Sequence, residues 1–203
     1  MENRDQIQLI VTRIMIEPNI APLLYRLATE LPEVYRHSLN VAYLVAETCY
    51  AAVDKDINSI LIYNKMDIIR GALLHDIGKL DIPNEILHKK GELNKREFAV
   101  MSKHSKIGYK KLLSIEKELN CEYSDVVKDI VLHHHENING TGYPDKIKNI
   151  SIATKLVALC DKYDAITEDR PYRPANSVFD AYKILSNGDI DDLFLLLISC
   201  DNR

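Results

Sequence analysis

From end to end of this chain apolar residues return at intervals of three and four. Nowhere do they alternate with polar residues for long enough to make a strand. That pattern restricts the chain to an all-α architecture. Ile7, Ile10, Val11, Ile14 and Met15 form the apolar face of a first helix, which Pro18 limits. Pro22 suits the first turn of a short second helix, and Pro32 opens a long third one, PEVYRHSLNVAYLVAETCYAAV. Met66, Ile69, Ala72 and Leu73 mark a fourth from about Lys65 to His75. The stretch HDIGKLDIP at 75–83 then breaks the pattern through Gly78 and Pro83. Further helices are expected at about 94–101, 104–119, 123–135, 151–168, 176–186 and 189–199. The expectation is a single-domain bundle of about nine helices. With 203 residues, 46% of them apolar, one sizeable core is within reach.

Charge and targeting signals narrow the function. A net charge of −4 gives no basic excess to attract a nucleic acid polymer or an anionic membrane. The longest apolar run, LFLLLI at 193–198, is far too short to span a bilayer, and the N-terminus does not read as a signal peptide. A cytoplasmic protein is expected. Cys49, Cys121, Cys160 and Cys200 are scattered and form no C-x-x-C pair, so they read as reduced thiols.

The chemistry sits in the histidines and aspartates. HHHENINGTGYPD at 133–145 places three histidines in a row, and on a helix these point about 100° apart, so they cannot share one target. Glu33 and His37 lie one turn apart on one face. His75-Asp76 closes a helix just before a glycine, and His104 opens another. Asp161 interrupts the apolar stretch VALCDKYDAI, where a buried carboxylate is costly unless paired or bound to metal. Singly, each has an ordinary explanation, as a surface or hydrogen-bonded histidine or a solvated aspartate. Jointly, imidazoles and carboxylates spread over several helices suit Fe, Mn, Zn, Co or Ni rather than Mg²⁺, and can converge inside a bundle.

The order of these elements resembles the HD-GYP family, a branch of the HD-domain metal-dependent phosphohydrolases. The matching stretches are RHSLNVA (36–42), LLHDIGK (73–79), KHSKIGYKKLL (103–113), HHENINGTGYP (134–144) and ALCDKYDAITEDRPYR (158–173). The resemblance implies an HD-type helical bundle over residues 31–203, with residues 1–30 as an N-terminal helical extension. It implies a buried multinuclear site whose ligands would be His37, His75, Asp76, His104, His134, His135 and Asp161. Asp76 would bridge two ions, since a carboxylate has two oxygens to share. His134 and His135 would each serve a different ion, and His133 would be left over. Glu33 stands where some members hold a third metal. Two or three divalent ions, Fe or Mn, are thus implied.

The implied activity is hydrolysis of a cyclic dinucleotide, above all cyclic di-GMP, to the linear dinucleotide, which some members of the family cut on to GMP. Asp76 and Lys79 would be the catalytic residues. Lys79 would reach a phosphate oxygen and offset its charge. Arg170 and Arg173 would clamp phosphates in forked hydrogen bonds, and Tyr143 or Tyr172 would stack on a base. Gly140 and Gly142 would supply positive φ for a sharp loop that Pro144 closes. The Gly142–Pro144 loop could also dock diguanylate cyclase domains.

The chain departs from the family pattern in three places. Asn139-Gly140 replaces the usual Asp-Gly, keeping a turn-forming side chain but losing a charge. Lys155 stands where arginine is more usual, and the closing segment NGDIDDLFLLLIS is unlike the family's. With no receiver, sensor or membrane domain before residue 30, a stand-alone module is expected. Three alternatives remain open: a nucleotidase of the wider superfamily acting on another small nucleotide, a catalytically weak module that binds cyclic dinucleotides, and a plain helical interaction protein.

Overall fold

The computed structural model describes residues 2–54, 64–168 and 176–185. Its helices are α1 (Glu2–Met15), α2 (Ala21–Glu30), α3 (Pro32–Asp54), α4 (Lys65–Leu74), a 3-10 helix at Ile77–Asp81, α5 (Asn84–Leu87), α6 (Lys95–Met101), α7 (His104–Leu119), α8 (Asp125–His133), α9 (Ile152–Thr167) and α10 (Val178–Leu185). No strand occurs among the described residues. Nine of the α-helices have seven residues or more, and α5 is a single turn. The helix expected at 189–199 lies outside the described residues.

Local chemistry sets the helix ends. Pro22 occupies the first turn of α2. Asn94 caps α6 in a capping box with Glu97, each side chain bonding the other's backbone N–H. Ser124 and Ser151 cap α8 and α9 by accepting from Val127 N and Thr154 N. Asn120 ends α7 in the left-handed conformation at φ 47°. Helix α8 stops at His133, two residues before the apolar pattern expected, and there the Glu136 amide turns back onto the His133 carbonyl at 2.8 Å.

Helices α3, α4, α8 and α9 surround the core. Helix α3 packs on α4 and α9, and α8 closes the ring against both α4 and α9. One apolar cluster runs through them, including Val41, Val45, Ile69, Leu73, Ile130, Val131, Leu156, Val157 and Tyr163. Ile7, Val11 and Ile14 of α1 belong to the same cluster, and Arg70 fastens the α1–α2 turn to α4 by gripping Glu17 with Nε at 2.9 Å and Nη2 at 2.6 Å. Cys49 and Cys160 are buried within the core and Cys121 is partly exposed, and none of the three is in a disulfide. Cys200 lies outside the described residues.

One close approach holds the working end of the bundle. The 3-10 helix lies against α7 so tightly that a Cβ on Gly78 would stand 1.9 Å from the His104 carbonyl oxygen. From Pro83 to Lys103, by contrast, no residue is buried, and this strap carries α5 and α6.

Candidate metal centre

Three helix ends choose the tautomers of three histidines. A carbonyl near a helix end has a lone pair to offer a side chain, whether or not its backbone bond is made. His75 Nδ1 donates to Ala72 O at 2.7 Å, His104 Nδ1 to Met101 O at 2.8 Å and His134 Nδ1 to Ile130 O at 3.1 Å. A carbonyl can only accept, so each Nδ1 carries the hydrogen and each Nε2 presents a lone pair.

Those lone pairs converge on Asp76. His104 Nε2 and His134 Nε2 lie 3.3 Å apart, with His104 Nε2 at 3.4 Å and His134 Nε2 at 4.0 Å from Asp76 Oδ1. His75 Nε2 lies 3.4 Å from Asp76 Oδ2. Two facing lone pairs repel unless a proton or a cation lies between them. Burial pushes the His104 and His134 imidazoles down, and pushes His135 down to about 3, so protonation is disfavoured there. Asp76 is an anion: burial would push its carboxyl up, but the charge of Lys79 outweighs that and holds it well below the usual carboxylate range. His75 Nε2 and Asp76 Oδ1 are buried without a hydrogen-bond partner. Buried donors in this condition suit a divalent transition metal.

The donors form two groups, each with its atoms within 4.8 Å of one another: Asp76, His104, His134 and His135 in one, His37, His75 and Asp76 in the other. Asp76 is common to both. His134 and His135 therefore fall in the same group, whereas the sequence reading sends them to different ions. The reason is the early end of α8: His134 is the cap and His135 lies in the turn beyond it, so their rings face each other with centroids 4.2 Å apart.

His37 is gripped from α9. Its Nε2 meets Asp161 Oδ1 at 2.9 Å and its Nδ1 meets Asp164 Oδ2 at 2.8 Å. Burial lowers its pKa, but the two carboxylates outweigh that and lift it to about 9. Asp161 is correspondingly low despite its burial, through His37 and the neighbouring histidines. Asp164 is fully buried and had no assigned role in the sequence, although it forms the second acid of the D-x-x-D spacing. A carboxylate on the far nitrogen of a ligand histidine fixes its ring, which is the relation Asp164 bears to His37.

The remaining candidates lie around a cavity of about 570 Å³ whose walls include Glu33, His37, Asp76, Lys79, His104, His135 and Tyr143. Lys79 Nζ donates to Asp76 Oδ2 at 2.6 Å. Glu33 is exposed at the rim and belongs to neither donor group. The Tyr143 ring lies against His135, centroids 4.8 Å apart, with Phe98 edge-on at 5.8 Å, and burial pushes its hydroxyl pKa up. Arg170, Tyr172 and Arg173 lie outside the described residues. His133 is turned away, bonded to Asp129 Oδ1 at 2.7 Å and to Asp145 Oδ2 at 3.3 Å.

Glu136 holds the loop that carries Tyr143. Its buried Oε1 accepts from the backbone N–H of Asp145 at 2.6 Å and of Lys146 at 2.8 Å. The Tyr143 amide reaches back to His135 O at 3.3 Å. Gly140 has the positive φ expected of it, at 75°, but Gly142 does not. Gly142 is needed for space instead: a Cβ there would lie 2.4 Å from Glu136 Cα and 2.5 Å from His135 O. Asn139 makes the turn with its side chain, accepting from Thr141 N at 3.0 Å.

This geometry has a known setting. The family model described as HD domain matches residues 23–191. The chain belongs to the HD-domain family. The HD domain is 35% identical over 195 residues to a cyclic di-GMP phosphodiesterase of Pseudomonas aeruginosa, covering 92% of this chain and 44% of that protein. It is 33% identical over 153 residues to a cyclic di-GMP phosphodiesterase of Thermotoga maritima, covering 74% and 39% respectively. It is also 37% identical over 113 residues to a 3'3'-cGAMP-specific phosphodiesterase of Vibrio cholerae, covering 54% and 21%. The chain thus spans less than half the length of these relatives. The names are consistent with the HD-GYP branch to which the motifs point. No helix of the HD domain, among its described residues, is long and apolar enough to cross a membrane.

Proposed function

We propose that this HD domain is a metal-dependent phosphodiesterase that opens a cyclic dinucleotide, cyclic di-GMP first, to the linear form. The observation that carries the reading is the pair of donor groups sharing Asp76, beside Lys79, on the wall of a 570 Å³ cavity. The ligand set would be His37, His75, Asp76, His104, His134, His135 and Asp161. It would take two divalent ions, Fe or Mn, with Glu33 the acid available for a third.

Bound ions of this kind supply an activated water and neutralise charge at phosphorus. The chain does the rest. Lys79 is close enough to Asp76 to reach an oxygen of any phosphate held there, where it offsets the charge that builds up in the transition state. Tyr143 offers a flat ring at the cavity wall for a base to stack on. Arg170, Arg173 and Tyr172 are assigned to the phosphates and the second base on sequence grounds. The catalytic unit is assigned to residues 31–203, with 1–30 as its helical extension, and the Gly142–Pro144 loop is the surface offered to diguanylate cyclase domains. The domain is assigned to the cytoplasm.

The test is direct. Protein loaded anaerobically with Fe or Mn should yield linear dinucleotide from cyclic di-GMP, and elemental analysis should return two or three ions per chain. Metal-replete protein that leaves cyclic di-GMP and 3'3'-cGAMP intact would end this reading.

A further inference from the structure

One acidic residue on the cavity wall has no use in holding a phosphate. Glu168 lines the cavity that also contains Asp76 and Lys79, and its side chain is 22% exposed. A carboxylate repels a phosphate, so a cavity for an anion has no reason to present one unless it meets a neutral group rich in donors. Glu168 is also held in place. Arg36 Nε is ion-paired with its Oε1 at 3.1 Å, and its backbone N–H donates to Asp164 O at 3.0 Å at the end of α9.

The placement repeats the metal-site ladder one rung further out. His37 of α3 meets Asp161 and Asp164 of α9, and the neighbouring Arg36 of α3 meets Glu168 just past α9. Glu168 and Asp76 line the same cavity, so a nucleotide whose phosphate lies at Asp76 has Glu168 on a wall of the space it fills.

We infer that Glu168, braced by Arg36, reads the N1–H and N2–H₂ edge of a guanine whose phosphate lies at Asp76. This rests on the cyclic dinucleotide reading and adds the base to it. An ionised carboxylate only accepts, and it has several lone-pair sites, so the ion pair with Arg36 leaves room for two hydrogen bonds. Guanine offers two adjacent donors on that edge. Adenine offers a lone pair at N1, which faces the carboxylate and repels it. A ribose hydroxyl would also donate to Glu168, but it would not distinguish the two bases.

The experiment measures binding of GMP and of AMP to the metal-loaded protein by calorimetry, in the wild type, Glu168→Gln, Arg36→Ala and Glu33→Gln. The initial rates on cyclic di-GMP and cyclic di-AMP are measured alongside. A good bidentate pair discriminates by roughly 1–3 kcal/mol, so the guanine preference should shrink by about ten- to a hundredfold in Glu168→Gln. AMP should bind that variant more tightly, because an amide offers adenine both a donor and an acceptor. Arg36→Ala should lose part of the preference, and Glu33→Gln should keep it. Equal changes for GMP and AMP in Glu168→Gln, no change at all, or the same loss in Glu33→Gln would overturn the assignment. A wild type that cleaves no cyclic dinucleotide would instead end the phosphodiesterase reading, while the mononucleotide ratio still decides the role of Glu168.

Discussion

Replacing Gly78 with alanine tests whether the spacing between the 3-10 helix and α7 sets the metal centre. The new Cβ would stand 1.9 Å from His104 O, 2.5 Å from Gly108 N and 2.8 Å from His104 C. The closest contact is about 1.5 Å short of the 3.4 Å at which ordinary contact begins. All three atoms are backbone, so no side chain can rotate aside. The 3-10 helix, with Asp76 and Lys79 at its start, must therefore move away from the helix that begins at His104. Overpacking of this kind costs about 3 kcal/mol, which in a chain this long lowers Tm by roughly 6–12 °C. A displacement of about 1 Å is also enough to cost some 10²-fold where several groups must act at one point. Thermal melts and elemental analysis should show G78A with a lower Tm and depleted metal. Gly71→Ala is the comparison. Its Cβ would meet the Ile130 side chain first, Cδ1 at 2.6 Å and Cβ and Cγ2 at 3.0 Å, so a side chain rather than backbone has to give, and less metal should be lost than in G78A. Full metal content and an unchanged Tm in G78A would refute the argument.

Three other perturbations follow from particular contacts. Asp164→Asn removes the charge that orients His37, and metal affinity should fall about 10–100-fold, read by competition with a chelator. Glu136→Ala leaves two backbone N–H groups without their acceptor, at about 1–3 kcal/mol, and hydrogen exchange at 137–146 should speed up. Glu136→Gln, which keeps an oxygen, should behave nearly as the wild type. Asp129 ties the end of α8 to the start of α9 through His133, Ser151 and Thr154. Burial pushes its carboxyl up, but those bonds outweigh it and hold the pKa low. A depressed acid stabilises the fold above its unfolded pKa and loses that contribution as pH falls through the folded one. Asp129→Asn should therefore flatten the acid limb of a stability–pH curve, and an unchanged limb would remove Asp129 from the account.

How much of this was legible in the sequence depends on range. Helical periodicity located α3, α4 and α7 to within a residue or two, because Pro32 and the apolar spacing act locally. The end of α8 was missed by two residues, since the turn at His134 is set by the Glu136 amide rather than by the apolar pattern. His37, His75, Asp76, His104, His134, His135 and Asp161 could be named as a set only through the resemblance of their motifs, since singly each has an ordinary explanation. Asp164 could not, since its partner His37 is 127 residues away and an aspartate three beyond another looks like a solvated face. Glu136 was hidden in the same way: its role is to bind backbone nine and ten residues further on. The need for Gly142 was legible, but its cause was not, because close approach leaves no trace in a turn motif.

The strap from Pro83 to Lys103 forms one wall of the cavity through Leu87, His88 and Met101, yet it has no buried residue to anchor it. Its detachment exposes little apolar surface, so the free energy of opening it is small compared with that of unfolding the bundle. Its last turn is the exception, because Met101 O holds His104 Nδ1, so movement of the strap reaches the metal centre through that one bond.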